Sequence, residues 1–102
     1  MITLIFRMKI QDGKEDAALA QLDKMATAVA ENEPGALAYV FHRSLDDASQ
    51  VVLYESYEDD AAFQTHMKTP HMAEFQASIS ELFDTSEIEV TRLDRVAAVT
   101  RG

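Results

Sequence analysis

The chain opens on an alternation. Ile2, Leu4, Phe6, Met8 and Ile10 are apolar, and Thr3, Ile5, Arg7 and Lys9 stand between them. A period of two sends successive side chains to opposite faces, so this segment predicts a strand with one strongly apolar face. "QDGK" predicts a turn. From Lys14 to Asn32 the spacing changes, and Ala18, Leu22, Met25, Ala26 and Val29 recur at helical intervals. Abundant alanine adds propensity to period. "ENEPG" ends the helix, because Pro34 disfavours helical geometry at Glu33 and Gly35 permits a sharp turn.

"ALAYVFHR" predicts a second strand and "QVVLYESY" a third, rich in β-branched and aromatic residues, with "SLDDAS" as the turn of a hairpin. "EDDAAFQTHMK" predicts a helix with Asp59 as its cap. Thr69 then caps a further helix with Pro70 in its first position, carrying Met72, Phe75, Ile79, Leu82 and Phe83 on one side. "SEIEVTRLDRVAAV" predicts a final strand and a possible tail strand. The order β-α-β-β-α-α-β is an α+β, ferredoxin-like split βαβ pattern with its second helix broken in two. Residues 1–102 are expected to form a single domain.

The middle strands are apolar on both faces. Leu37, Tyr39 and Phe41 are expected on one side of the second strand and Ala38 and Val40 on the other; in the third, Val51 and Leu53 oppose Val52 and Tyr54. An antiparallel sheet with one wet face alternates apolar with polar. Helices cover one face only, so a second sheet from another subunit is expected on the other, giving a homodimer through sheet-on-sheet packing.

Composition narrows the functional classes. There is no cysteine, which removes disulfides, thiolate metal sites and cysteine nucleophiles. Net charge is −9, so nucleic acid and anionic membrane are not expected partners. An anionic ligand would need a local cation, and Arg7, Arg43, Arg92 and the histidines are the candidates. The N-terminal segment lacks a basic leader region and is interrupted by Arg7 and Lys9. A cytoplasmic location without membrane association is the expectation.

The segments "EPGALAYVF" and "LYESYEDDAAFQTHMKTPHMAEF" resemble the antibiotic biosynthesis monooxygenase domain. The positions that carry the likeness are Glu33, Pro34, Gly35, Tyr39, Glu55, Tyr57, Asp59, Ala62, Phe63, His66, Thr69, Pro70, His71 and Phe75. The resemblance implies a dimeric α+β barrel with a pocket between the sheet and the helices of each subunit. It also implies one of several activities: cofactor-independent oxygenation of quinols, anthrones or polyketide aromatics, isomerisation of a phosphorylated autoinducer sugar, or haem degradation. The haem-degrading branch typically shows Trp near the position of His66 and Asn on the first strand; this chain has neither.

"HMKTPHMAEF" holds two of the three histidines. His66 shares the side of its helix with Ala62 and Phe63, so it either lines a pocket or packs as a satisfied core histidine. His71 follows Pro70 at a helix start, where a cation is disfavoured; it is either a pocket-rim residue or a surface contact. Their five-residue spacing and the intervening Pro70 differ from the i, i+4 spacing of metal pairs on one helix, so no metal is expected. Glu55 shares the apolar face of Val51 and Leu53 and needs a partner; Tyr39, Tyr57 and His66 are available. It is read either as a proton relay or brace for the His66 tautomer, or as a structural anchor. Glu33-Pro34-Gly35 is read as architectural.

The resulting expectation is a cofactor-free oxygenase acting on a small aromatic hydroquinone or polyketide-type substrate with dioxygen. His66, Glu55 and Tyr39 are the candidate catalytic residues. Arg7, Tyr57, Phe63, Met67, His71 and Phe75 are the candidate substrate-binding residues. No dinucleotide fingerprint or phosphate loop is present, which fits a site without a cofactor. Isomerisation of a small sugar phosphate or lactone, and a non-catalytic dimeric binding module, are the alternatives.

Overall fold

A computed structural model describes residues 1–101. The elements are β1 (Ile2–Lys9), α1 (Glu15–Asn32), β2 (Ala36–Arg43), β3 (Gln50–Tyr57), α2 (Asp60–Met67), α3 (Pro70–Leu82) and β4 (Glu89–Leu93), with a 3-10 turn at Thr85–Glu87. The four strands form one antiparallel sheet in the order β2-β3-β1-β4, with the ferredoxin-like connectivity that the element order predicts.

Local chemistry sets the boundaries. Gly13 takes φ +80° in the turn after β1, a conformation that disfavours a side chain. The Asp59 carboxylate accepts from Ala62 N at 2.8 Å, and the Thr69 hydroxyl accepts from Met72 N at 3.2 Å, so both expected caps start helices. Thr69 Oγ1 also donates to His66 O at 2.9 Å, which satisfies a carbonyl at the end of α2. Pro70 occupies the first turn of α3.

The apolar stripe of α1 (Ala18, Leu22, Met25, Val29) meets Met8, Ile10, Val51, Phe75, Leu82 and Phe83 in one buried cluster. The end of α3 is tied to the end of β1 by the Ile10–Phe83 bridge, by Gln11 N donating to Leu82 O at 2.9 Å and by Asp84 N donating to Lys9 O at 2.8 Å. These bonds hold α3 over the sheet and close one side of the site described below.

Two expectations change. A register shift between Ala36 and Ala38 interrupts the β2–β3 ladder, and Leu37 is 56% exposed rather than aligned with Tyr39 and Phe41. A bulge breaks the period of two at that residue. No tail strand forms either: Asp94–Arg101 is irregular and exposed, and Arg95 Nη2 donates to the Tyr54 hydroxyl at 2.7 Å. On the sheet face away from the helices, Val40 is exposed, and Ile5, Val52 and Tyr54 are half-buried. No helix among the described residues is long and apolar enough to cross a membrane.

Candidate active site

Two rows of register partners cross the helix-facing side of the sheet. One runs Tyr39, Glu55, Leu4, Arg92 and the other Phe41, Leu53, Phe6, Val90. α2 and α3 sit above these rows without filling the space. They leave a cavity of about 290 Å³. Leu4, Phe6, Met8, Leu53 and Val90 face it from the sheet, and Phe63, Met67, Met72, Phe75 and Ile79 from the helices. Its polar lining is Tyr39, Glu55, His66, Gln76 and Arg92.

His66 is 1% exposed and Glu33 6%. His66 Nδ1 lies 2.9 and 3.1 Å from the two Glu33 carboxylate oxygens, and His71 Nε2 lies 2.5 Å from Glu33 Oε2. A carboxylate can only accept, so each ring donates N–H to Glu33. In the neutral ring, a proton on Nδ1 leaves the lone pair on Nε2. Nε2 makes no hydrogen bond among the described residues, and the ring lines the cavity. Tyr39 and Tyr57 flank the imidazole at centroid distances of 5.3 and 5.2 Å. The ring is therefore held by packing on its faces and by a carboxylate behind it.

The turn after α1 makes this possible. A Cβ added at Gly35 would lie 2.7 Å from Ala62 Cβ, so only glycine lets the turn approach α2 this closely. Gly35 O also accepts from Glu58 N at 2.9 Å. Glu33, two residues earlier, is thereby delivered to His66. The Glu33 side chain is thus part of the candidate site, where the sequence had read it as architectural. The brace of His66 is Glu33, not Glu55. The signal available in the sequence was an acidic residue just after a helix, followed by Pro34 and Gly35.

Glu55 has a different partner. The buried Tyr57 hydroxyl donates to Glu55 Oε1 at 2.9 Å. Burial pushes the Glu55 carboxyl above the usual carboxylate range, and the Tyr57 hydrogen bond and His66 oppose this in part. Burial also raises both phenols: Tyr39 is pushed further by Glu55 and Glu33, and Tyr57 by Glu55. Both tyrosines are held as neutral donors and not as bases.

Of the candidates, Tyr39, Glu55, His66, Phe63, Met67 and Phe75 line the cavity together. Three other candidates do not. Arg7 pairs with Val52 on the opposite face, because it alternates with the inward Phe6 and Met8. Tyr57 is wholly buried behind Glu55. His71 lies behind Glu33 and borders a groove between α1 and α3. Of the cations offered for an anionic ligand, Arg92 is the one brought to the cavity, by its pairing with Leu4, and Gln76, on α3, is a polar lining residue that sequence reasoning placed in no site.

Glu33, His66 and His71 also place three potential metal-ligand atoms within 4.8 Å of one another. The break at Thr69-Pro70 therefore does not separate the histidines, as their spacing had implied. In the geometry seen, both ring protons are used on the carboxylate; a divalent ion could be held here only by displacing them.

The family model for antibiotic biosynthesis monooxygenase matches residues 1–78. No curated protein matches the chain. Among solved structures, PA3566 from Pseudomonas aeruginosa is 27% identical with a TM-score of 0.83, over 94% of each chain. Rv0793 from Mycobacterium tuberculosis is 28% identical with a TM-score of 0.85, over 97% of this chain and 98% of its own. A further structure, described as an antibiotic biosynthesis monooxygenase, is 24% identical with a TM-score of 0.84 and shares the fold over 95% of this chain. With the family model spanning most of its length, the chain belongs to the antibiotic biosynthesis monooxygenase family.

Proposed function

We propose that the protein is a cofactor-independent monooxygenase that oxidises a small aromatic hydroquinone or polyketide-type substrate with dioxygen. The observation that carries this reading is the Glu33–His66 hydrogen bond, which ties Nδ1 to the carboxylate while the ring lines an apolar cavity. His66 takes a proton from the ring hydroxyl or an acidified ring CH₂. Tyr39 donates to the resulting oxyanion. The electron-rich anion passes one electron to dioxygen, and the radical pair recombines at a ring carbon as a peroxide. The proton held by His66 returns, the O–O bond breaks, one oxygen stays as a carbonyl and the other leaves as water. For a ring CH₂ the balance is CH₂ + O₂ → C=O + H₂O.

Glu33 stabilises the imidazolium that exists between proton uptake and return, and it keeps the ring in one orientation. The apolar walls exclude water from the peroxide. On this reading the active unit is a homodimer, in which the face carrying Ile5, Val40, Val52 and Tyr54 meets a second sheet.

The test is oxygen consumption across a panel of hydroquinones and anthrones. Uptake that disappears in folded His66→Ala supports the reading; uptake unchanged in that variant refutes it. A second reading has one observation in its favour: His66 and Glu55 face the same cavity, as an isomerase moving a proton between two carbons would require. Turnover of a small sugar phosphate or lactone under anaerobic conditions would select it.

A further inference from the structure

Arg92 is the only lysine or arginine on the cavity wall among the described residues. It makes no hydrogen bond or ion pair among them, although the chain carries twice as many acidic as basic residues, 18 against 9. Its place follows from register. Leu4 pairs with Glu55 on one side and with Arg92 on the other, so Glu55 and Arg92 stand two strand spacings apart, about 10 Å. Glu55 lies toward the middle of the sheet beside Tyr39 and His66, whereas Arg92 lies on the edge strand β4, which is exposed along its length. The cavity therefore has a proton-handling end and a cationic end. Leu4 lies between them, and Phe6 and Leu53 of the adjacent row extend the apolar floor.

We propose that the preferred ligands are one- or two-ring aromatics bearing an anionic substituent, a carboxylate, that Arg92 holds at the edge-strand end. This deepens the oxygenase reading and rests on it for turnover, though not for binding. A guanidinium presents a planar fork that matches a carboxylate with two parallel hydrogen bonds. The acidic surface repels such a ligand elsewhere on the molecule. A cavity of about 290 Å³ is at the small end of ligand sites and suits one or two fused rings. With the carboxylate on Arg92, the distal ring reaches Tyr39 and His66. Gln76 is a further polar group on the wall and can pair with a ring substituent.

The experiment pairs a binding measurement with a turnover measurement. Anaerobic calorimetry compares 2-naphthoate with its neutral isostere naphthalene-2-carboxamide, in the wild type, Arg92→Gln and Arg92→Lys. The wild type is expected to bind the carboxylate about ten-fold or more tightly than the amide, a preference that weakens with added salt. Arg92→Gln is expected to bind the two equally, and Arg92→Lys to keep part of the preference. Equal binding by the wild type, or a preference unchanged in Arg92→Gln, overturns the proposal. In parallel, oxygen uptake is followed with 5,8-dihydroxy-2-naphthoate and 1,4-dihydroxynaphthalene. No uptake with either, together with the binding preference, removes the oxygenase reading and leaves the anion site standing. Uptake with both, without any binding preference, does the reverse. Arg92 lies on an exposed strand, and circular dichroism of each variant verifies that the fold is retained.

Discussion

Glu33 and His66 are 33 residues apart in the chain and share a buried hydrogen bond of 2.9 Å. The carboxylate also receives His71, so one acidic group satisfies two rings. Removing it leaves two ring N–H groups without acceptors in a nearly dry site. Glu33→Ala is therefore expected to lower stability by roughly 2–6 kcal/mol, since each of the two orphaned donors costs about 1–3 kcal/mol. Thermal and urea unfolding measure this. A loss under about 0.5 kcal/mol would mean that the network contributes nothing to the fold.

Catalysis separates the roles of the two residues. On the oxygenase reading, His66→Ala removes the base and is expected to lower kcat/KM by about 10²–10⁴-fold. Glu33→Gln keeps the size of the side chain but removes the charge that stabilises the imidazolium. It is expected to lower kcat with little change in KM. Steady-state oxygen uptake distinguishes the two outcomes; a Glu33→Gln effect confined to KM would place Glu33 in binding instead.

Glu55 carries a pH signature. Burial raises its folded carboxyl above the unfolded value, so the folded state holds its proton to higher pH than the unfolded state does. The contribution of Glu55 to stability is fully present below the unfolded carboxyl value and is lost as pH rises through the folded one. Glu55→Gln is expected to remove that component, so the melting temperature of the variant gains on the wild type as pH rises above the ordinary carboxylate range. A constant difference from pH 4 to pH 8 would contradict this. Gln can still accept from the Tyr57 hydroxyl, which keeps the comparison clean.

Gly35 is where the turn meets α2. Gly35→Ala puts a methyl 2.7 Å from Ala62 Cβ, and neither atom belongs to a flexible chain. Separation of the turn from α2 is expected to cost roughly 1–3 kcal/mol. It should also loosen the Glu33–His66 bond, so activity falls further than the residual folded fraction explains. Gly35→Ala/Ala62→Gly is expected to recover part of both losses. Failure of the second change to recover either would show that the close approach is not the cause.

The outer face of the sheet gives a test of assembly. Val52→Asp places a charge among Ile5, Val40 and Tyr54, where it meets water in a monomer but an apolar sheet in the proposed dimer. Sedimentation is expected to show a dimer for the wild type and a monomer for the variant. Monomeric wild type at tens of micromolar would reject the sheet-on-sheet arrangement.

Much of this architecture was legible along the chain, because strands and helices are dictated by short-range chemistry. The alternation from Ile2 to Ile10 and the stripe Ala18, Leu22, Met25, Val29 define faces, and Asp59, Thr69 and Pro70 define helix starts. Each rests on contacts within a few residues. The outward side of Arg7 was already present in that alternation, and the inward side of Glu55 in the alternation with Val51 and Leu53. The site's wiring belongs to another scale. That Glu33 meets His66 and His71 depends on the turn at Gly35 closing against α2, across separations of 33 and 38 residues. That Arg92 reaches the cavity depends on how β4 pairs with β1, and a one-residue slip would turn it away. Periodicity states which face a residue occupies; only strand register and helix docking state what it faces.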